Sequence, residues 1–527
     1  MVGYQRPMGS EERAGHSTLT VSIFFGGHDS NVAIADGSRT LLHLEAERVL
    51  RRKHARANAE EMQSVVQAAL DYVSADVQDV TEVLLAAWSS DFDPNGFELL
   101  GRWVVPIVTG HHANHIACAF GVGFETGLAL CADGGSEDGM TSIYAVTGHR
   151  VRRLARLDDS FTTGRTYGTV TQLVVQPQFR AAHSTDAGKL LGLAAHGSKD
   201  EAIRSLIVQH EAALKRLHTE GVDELLKAFG LADGYSRPWE DARRRDVAAT
   251  MQDEWEKRLL QLLGGYQGPR EVALVGGCAM NVVANGRLAR AGLFDRVHIP
   301  FAASDAGQAL GALWNRRPHL ATADPYLGRG FGRDLTPAVA GAIAEDLIAG
   351  RTVALYHGRS ESGPRALGHR SILAIPSSVD VRRNLSERIK GREPYRPVAP
   401  VIREEDLERF FNTTVASRYM CFAHSATAVL RREAPAIVHA DGTSRVQTVA
   451  KQQEPVLHAI LERLAELGKL PVLANTSMNV AGEPMVDSPA EALRFFARAP
   501  VDVLWLGDER HVGREAGRAA GAQTASR

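Results

Sequence analysis

Short aliphatic and β-branched runs recur along the chain, each closing on a glycine-rich or polar turn and giving way to a longer amphipathic stretch. In the first half these runs are Val21 to Phe25, Leu128 to Ala132 and Val272 to Val275; in the second they are Val353 to Tyr356, Val472 to Ala474 and Val501 to Leu506. Bounded runs of this kind predict buried strands, and their alternation with helical stretches predicts an α/β protein. Ser488, Pro489 and Ala490 carry the cap chemistry of a helix start just before the last run. The Gly/Pro-punctuated stretch Asp324, Pro325, Gly328, Gly330 and Gly332 reads as a connector. The expected organisation is a flexible start over 1–17, a domain over 18–335, a smaller α/β domain with a twisted sheet over 336–510, and a flexible tail over 511–527.

A chain of 527 residues exceeds what one hydrophobic core organises, which agrees with two domains. With 60 Lys plus Arg against 62 Asp plus Glu, there is no global field for nucleic acid or an anionic membrane, so any polyanion has to be met locally. No basic tract or aromatic-basic platform for RNA is present. Cys118, Cys131, Cys278 and Cys421 lie far apart without a Cys-x-x-Cys pair, which argues against a thiolate zinc site and a disulfide framework. No signal-like or membrane-spanning apolar stretch occurs, so the expectation is a soluble cytoplasmic protein.

Candidate chemistry in the first half starts at His111-His112-Ala113-Asn114-His115, where a helix places His111 and His115 on one face. A histidine pair alone is more often polar or capping structure than a ligand set. Asp133 ends the run Leu128 to Ala132, where an α/β sheet presents its ligands, and Asp305 stands in Ser304-Asp305-Ala306-Gly307 before an Ala/Leu helix. Either aspartate alone is ordinarily a turn former or a cap. Together the four residues form a mixed N/O set that suits Fe(II), Mn(II) or Zn(II). Gly276 and Gly277, with Asn281, form a strand-to-helix turn whose amides can face a nucleotide phosphate. Gly164-Arg165 and Gly188-Lys189 add small residues beside cations, and tight backbone packing is the plainer account of them.

The second half carries Gly358-Arg359-Ser360-Glu361-Ser362-Gly363-Pro364-Arg365-Ala366-Leu367-Gly368-His369-Arg370. One reading is a loop presenting guanidinium forks to phosphate; the other is a structural arginine network tied to Glu361 and nearby carbonyls. Lys390, Arg392 and Arg396 on a proline-stiffened segment, with Arg445, add cations. Asn475, Thr476 and Ser477 follow the run Val472 to Ala474 and place amides and hydroxyls where a phosphate or carbamoyl amide can bind.

The order of these motifs resembles the O-carbamoyltransferases related to nodulation-factor and antibiotic carbamoylating enzymes, over most of the chain. Gly27-His28-Asp29-Ser30, Glu47-Arg48 and Arg51-Arg52-Lys53-His54 look like the family's opening segments, and the elements described above follow in family order. Ala46 replaces the usual second glutamate and Leu191 the usual methionine. The resemblance implies a duplicated actin/sugar-kinase architecture for the first domain, similar to the tRNA threonylcarbamoyl-transfer enzyme. It implies iron held by His111, His115, Asp133 and Asp305, with His28 and Lys53 near the acceptor. For the second domain it implies similarity to the domain that makes threonylcarbamoyl-adenylate, with Arg365, Lys390, Arg396, Arg445 and Ser477 binding ATP and carbamoyl phosphate. Tyr419 and Met420 would flank the nucleotide, Mg would accompany ATP, and a homodimer is implied.

The expected reaction converts carbamoyl phosphate and ATP to carbamoyl-adenylate and passes the carbamoyl group to a hydroxyl of a small antibiotic or natural-product acceptor. Setting ATP beside carbamoyl phosphate brings two phosphate-rich anions together, which explains a demand for fixed positive charge. A small-molecule kinase of the actin/sugar-kinase class and a nucleotide-switched binding protein are the alternatives.

Overall fold

The computed structural model describes residues 18–87, 93–157, 164–175, 187–216, 221–231, 237–266 and 268–513. The chain opens with β1 (Leu19–Phe25), β2 (Asn31–Ala35), β3 (Thr40–Glu45), β4 (Val80–Ala87), β5 (Phe97–Leu99), β6 (Arg102–Val104) and β7 (Ile107–Val108). β5 and β6 form a separate hairpin. The others make a sheet of order β3-β2-β1-β4-β7, antiparallel through β3, β2 and β1 and parallel from β1 through β4 to β7.

The next five strands repeat this plan. β8 (Thr126–Ala132), β9 (Thr141–Thr147), β10 (Arg150–Arg156), β11 (Glu271–Val275) and β12 (Arg296–His298) lie in the order β10-β9-β8-β11-β12, with the same succession of antiparallel and parallel pairs. Strand β1 of one unit thus corresponds to β8 of the other, and β7 to β12. This is the duplicated actin/sugar-kinase architecture that the resemblance implies. Helices between β10 and β11 fill the stretch that the second unit inserts, ending with the long helix Ala242–Gly264.

A helix follows the fifth strand of each unit: His111–Cys118 after β7 and Gln308–Arg316 after β12. The two pack so closely that a Cβ on Gly311 would stand 2.1 Å from the Asn114 carbonyl oxygen. Around them Phe24, Leu84, Ile116, Leu128, Leu130, Leu313 and Trp314 form one buried core, so burial holds these helices despite their polar side chains. Helix His111–Cys118 begins against two carboxylates, with the His111 amide donating to Glu137 Oε1 (3.0 Å) and the His112 amide to Asp138 Oδ2 (3.1 Å).

The second half builds β13 (Val353–Tyr356), β14 (Arg370–Ala374), β15 (Ala399–Arg403), the hairpin β16 (Ala423–Ser425) and β17 (Thr443–Arg445), then β18 (Gln447–Val449), β19 (Val472–Ser477), β20 (Val503–Leu506) and β21 (Glu509–Val512). Seven of them form a mixed sheet of order β18-β15-β19-β14-β13-β20-β21. Both faces are covered: Ile343, Leu347, Ile460 and Leu464 pack on one side, Phe410, Leu430 and Phe495 on the other. Ser488 accepts the Glu491 amide and Pro489 occupies the first turn of helix Pro489–Arg498, as its sequence predicts. The tail expected from 511 begins later, because β21 pairs through His511 and Val512 with Leu504 and Val503, and Gly513 N–H donates to Asp502. Residues 514–527, like 1–17, lie outside the described residues.

The connector 324–332 is ordered against both halves. The His43 amide donates to Leu327 (2.8 Å), the Gly328 amide to Ser360 (2.9 Å) and the Gly330 amide to the Tyr72 hydroxyl (2.9 Å). Among the described residues no helix is long and apolar enough to cross a membrane.

Candidate functional site

The duplication assembles the first site. His111 and His115 come from the helix after β7 and Asp305 from the turn after β12, equivalent places in the two units. Asp133 follows β8, and His28 follows β1, again equivalent places. His115 Nε2 lies 2.8 Å from Asp133 Oδ2 and 3.3 Å from Asp305 Oδ1, and His111 Nε2 lies 3.7 and 3.5 Å from the same atoms. One ligand atom from each of the four residues falls within 4.8 Å of all the others, and all four residues are buried or nearly so.

The residues fit a divalent cation. The two Nε2 atoms face each other at 3.1 Å, an arrangement that leaves room for at most one proton between them, and the buried Asp305 Oδ1 completes no hydrogen bond. Two imidazoles and two carboxylates pointing at one centre suit Fe(II), Mn(II) or Zn(II). Burial disfavours an imidazolium at His115, yet Asp133 and Asp305 outweigh it and raise its pKa to about 9. A cation at the centre would take the place of that proton.

His28 Nε2 stands 3.7 Å from Asp305 Oδ2, while its Nδ1 lies 2.9 Å from Asp29 Oδ2. Burial pulls its pKa down, but the hydrogen bond to Asp29 and the charges of Asp305, Asp29 and Asp133 raise it; a cation held by Asp133 and Asp305 would offset two of those charges and favour the neutral imidazole that a base requires. Lys53 lies beyond the same loop cluster, close enough to Lys390 of the second half for the two charges to oppose each other.

The glycine turn takes a different part from the phosphate cradle its sequence predicts. The Gly276 amide donates to Ala303 O (2.8 Å), and the Gly277 amide points at Asp133 Oδ2 (3.3 Å). Asn281 caps helix Val282–Arg290 through Ala284 N and pairs with Gln252. Gly276 has φ +87°, and a Cβ there would sit 2.4 Å from Ala132 O, so this glycine lets the turn close against β8. These contacts hold an aspartate of the cluster in place and engage the Gly276 and Gly277 amides.

A second site lies in the other half. Lys390 follows a π-helical turn, Asn384–Ile389. It is 1 % exposed; its Nζ donates to Ser477 O (2.6 Å), Ser477 Oγ (3.0 Å) and Asn479 Oδ1. Burial, then Arg392, Lys53 and Arg396, hold its pKa well below the usual lysine range. Arg445 is pushed down by burial and by Arg365, Arg392 and Arg396, and Arg392 to about 9 by burial, Arg396 and Arg365. Guanidinium keeps its charge in proteins, so burial and then mutual repulsion disfavour these charges, and a bound anion would offset both. Glu393 is the carboxylate that meets this group among the described residues, 3.6 Å from Arg396 and near enough to Arg392 to favour its charge. Arg365 Nε is buried with no hydrogen-bond partner among them.

The three arginines of the signature loop part company. Arg370 is fully buried on the Tyr356 ring (3.8 Å to its centroid) and donates to the carbonyls of His357, Gly358, His369 and Arg329. Arg359 donates to Leu41, Leu327 and Gly328 carbonyls. Both follow the structural reading, whereas Arg365 joins the cation cluster. Glu361 receives the amides of Leu367, His369 and Arg370 and folds the loop on itself.

Asn475 braces that loop through Ala366 O (3.3 Å) and Gln447 Oε1 (2.7 Å), and Thr476 sits in β19 opposite Ile372. Tyr419 and Met420 are in the core; the Tyr419 hydroxyl donates to Ala323 O (2.6 Å) and its ring packs 5.5 Å from Phe301, while Met420 takes a left-handed φ of 58°. Sequence reasoning passed over Arg392 and Asn479 as site residues, although Arg392 stood in a quoted cationic segment. It also passed over Asp29, which is visible only as the neighbour of His28.

Comparison with known proteins matches both halves of the chain. Residues 104–313 match the family described as carbamoyltransferase N-terminus and residues 344–511 that described as carbamoyltransferase C-terminus. The nodulation protein NolO of Bradyrhizobium diazoefficiens is 31% identical over 435 residues, covering 75% of this chain and 77% of that protein. The 3'-hydroxymethylcephem-O-carbamoyltransferase of Streptomyces clavuligerus is 28% identical over 540 residues, covering 93% and 98%. Among solved structures, the activator of 2-hydroxyisocaproyl-CoA dehydratase from Clostridium difficile covers 57% of this chain and 95% of that one at 17% identity, with a TM-score of 0.37. The chain belongs to the carbamoyltransferase family. It is an enzyme of that class, built from the family's N-terminal and C-terminal parts in one polypeptide.

Proposed function

We propose that this enzyme makes carbamoyl-adenylate from carbamoyl phosphate and ATP in its second half and transfers the carbamoyl group to a small-molecule hydroxyl in its first. The observation that carries this reading is the group Arg365, Lys390, Arg392, Arg396 and Arg445, mutually repelling and nearly free of carboxylates. Such a group is stable only as a receptor for a dense anion, and two phosphate-bearing substrates supply one.

Chemically, water takes the phosphate from carbamoyl phosphate and leaves carbamate, and a carbamate oxygen then bonds to the α-phosphorus of ATP as its bond to pyrophosphate breaks, giving a mixed anhydride whose leaving group is AMP. Lys390 and Ser477 would hold the phosphoryl oxygens while the arginines neutralise them. In the first half, His28 would take the acceptor proton and Lys53 would steady the incoming adenylate. His111, His115, Asp133 and Asp305 would hold Fe(II), Mn(II) or Zn(II), which when bound supplies Lewis-acid polarisation. The hydroxyl acceptor follows the named activity of the cephem relative, and an antibiotic or other natural product is the class proposed here. We place the enzyme in the cytosol, a reading supported by its four free cysteines.

The test is an acceptor screen with carbamoyl phosphate and ATP, read by a mass gain of one carbamoyl group. His111→Ala should lose metal and transfer but keep carbamoyl-phosphate-dependent pyrophosphate release. Loss of both half-reactions in a folded protein would refute the division of labour, and ADP as the nucleotide product would favour a kinase.

A further inference from the structure

The loop between β1 and β2 holds more than His28. Asp29, the next residue, adopts φ +52°, a left-handed conformation uncommon outside glycine but open to aspartate. Both its carboxylate oxygens are engaged by imidazoles: Oδ2 by Nδ1 of His28 at 2.9 Å and Oδ1 by Nδ1 of His54 at 2.8 Å. His54 is itself left-handed (φ +53°) and its amide donates to Glu47 Oε2 at 2.9 Å. Beneath this pair the fully buried Asn31 donates Nδ2 to the carbonyls of Asp29 (2.6 Å) and Asp305 (2.9 Å) and accepts the Ala309 amide on Oδ1 (2.9 Å). One amide side chain therefore staples the His28 loop to the Asp305 turn.

We propose that Asp29, pinned by His54 and Asn31, is the positioning residue of the transfer step: it keeps a proton on His28 Nδ1 and turns Nε2 toward the acceptor hydroxyl. This rests on the functional reading above. In the step, the acceptor O–H bond breaks and its proton moves to His28 Nε2. The freed electron pair forms the new bond to the carbamoyl carbon, and the bond from that carbon to the AMP phosphate oxygen breaks, its pair leaving with AMP. The arrangement parallels the role of the aspartate in a Ser-His-Asp triad, which orients an imidazole without giving up its charge. Asp29, Glu47 and His54 also satisfy the spacing of a metal cluster. A cation there would compete with the 2.8 Å bond between His54 Nδ1 and Asp29 Oδ1, whereas the positioning role uses both imidazole bonds as they stand.

The experiment uses Asp29→Asn in the full metal-loaded enzyme, since asparagine tolerates the left-handed backbone but cannot accept from both imidazoles. With an acceptor taken from the screen, kcat for transfer should fall about 100-fold while KM for the acceptor, pyrophosphate release and metal content stay unchanged. His54→Asn, which removes one anchor, should give a smaller fall in kcat alone. A kcat within about twofold of the unmodified enzyme would overturn the proposal. So would an equal loss of pyrophosphate release, which would make the loop a general structural element, or the loss of one metal ion, which would make it a second metal centre. An unmodified enzyme that releases pyrophosphate but carbamoylates nothing would instead remove the transfer reading, and this proposal with it.

Discussion

Arg359 Nη2 donates to the carbonyl oxygen of Leu41 at 2.7 Å, so an arginine of the most conspicuous motif in the second half grips a strand of the first. The same guanidinium holds Leu327 and Gly328 of the connector. Nearby, Glu45 accepts the Gly363 amide (2.7 Å) and His43 lies 3.0 Å from Ser362 Oγ. The signature loop is thus a joint between halves on one side and, through Arg365, part of the buried cation cluster on the other.

Arg359→Ala and Arg365→Ala should therefore differ in kind. The first removes the donor to three partly buried carbonyls, of which Leu327 keeps the His43 amide, and should lower unfolding free energy by about 1–3 kcal/mol in denaturant melts, weakening both half-reactions together. The second should leave the melt within about 0.5 kcal/mol and abolish carbamoyl-dependent pyrophosphate release.

Lys390 yields a pH signature. Its pKa in the free protein lies well below the unfolded value, so the unfolded chain binds the extra proton between the two, and this residue's contribution to stability rises with pH across that window. A bound anion favours the charged form, so ATP binding should take up as much as about one proton and weaken as pH rises. Calorimetric titrations in buffers of different ionisation enthalpy check this; the uptake should vanish in Lys390→Met.

Gly311→Ala places a methyl 2.1 Å from Asn114 O and 3.0 Å from Cys118 Sγ. The helix bearing His111 and His115 has to move, at a cost of about 1–3 kcal/mol. Metal content measured on the purified variant should fall, whereas pyrophosphate release should persist.

Asp253, buried in helix Ala242–Gly264, meets Lys199 (2.7 Å), Arg204 (2.7 Å), Lys257 (2.9 Å) and Arg287 (3.5 Å). Burial works against its charge, but the bonds from Lys199, Lys257 and Arg204 outweigh it and hold its pKa well below the carboxylate range. Because the folded value is depressed, its stabilisation is complete above the unfolded value of about 4 and disappears as pH falls below it. Asp253→Asn should cost about 1–3 kcal/mol at neutral pH, the exposed lysines limiting the loss, and the difference from the unmodified enzyme should shrink in acid melts.

Much of the fold was legible in the chain. The runs at Val21, Leu128, Val272, Val353 and Val472 all fall in strands, because an apolar run bounded by turn residues has few other ways to be buried. The four candidate metal-site residues were nameable from spacing and strand ends, and the structure brings them together. The arginine-rich loop was ambiguous for a physical reason: a guanidinium satisfied by backbone carbonyls and one awaiting phosphate are the same residue in a sequence. Arg359 and Arg370 took the first course, whereas Arg365 Nε stays buried with no hydrogen-bond partner among the described residues. The glycine turn at 276–277 misled similarly, since a small residue that lets backbone approach phosphate equally lets it approach Ala132.

Local pattern by itself determined the α/β class, the two-part organisation, the helix carrying His111 and His115, and the stock of cations for an anionic substrate. These depend on neighbours in the chain, through periodicity, capping and turn chemistry. Only the tertiary structure decided that β7 and β12, and likewise β1 and β8, are equivalent, and so that residues as distant as His28 and Asp305 share one site. It also decided which arginines are left without carbonyls and that Asp29 serves two histidines at once. Those outcomes come from parallel strand pairing and the packing of one helix on another, contacts between segments hundreds of residues apart that no local window contains.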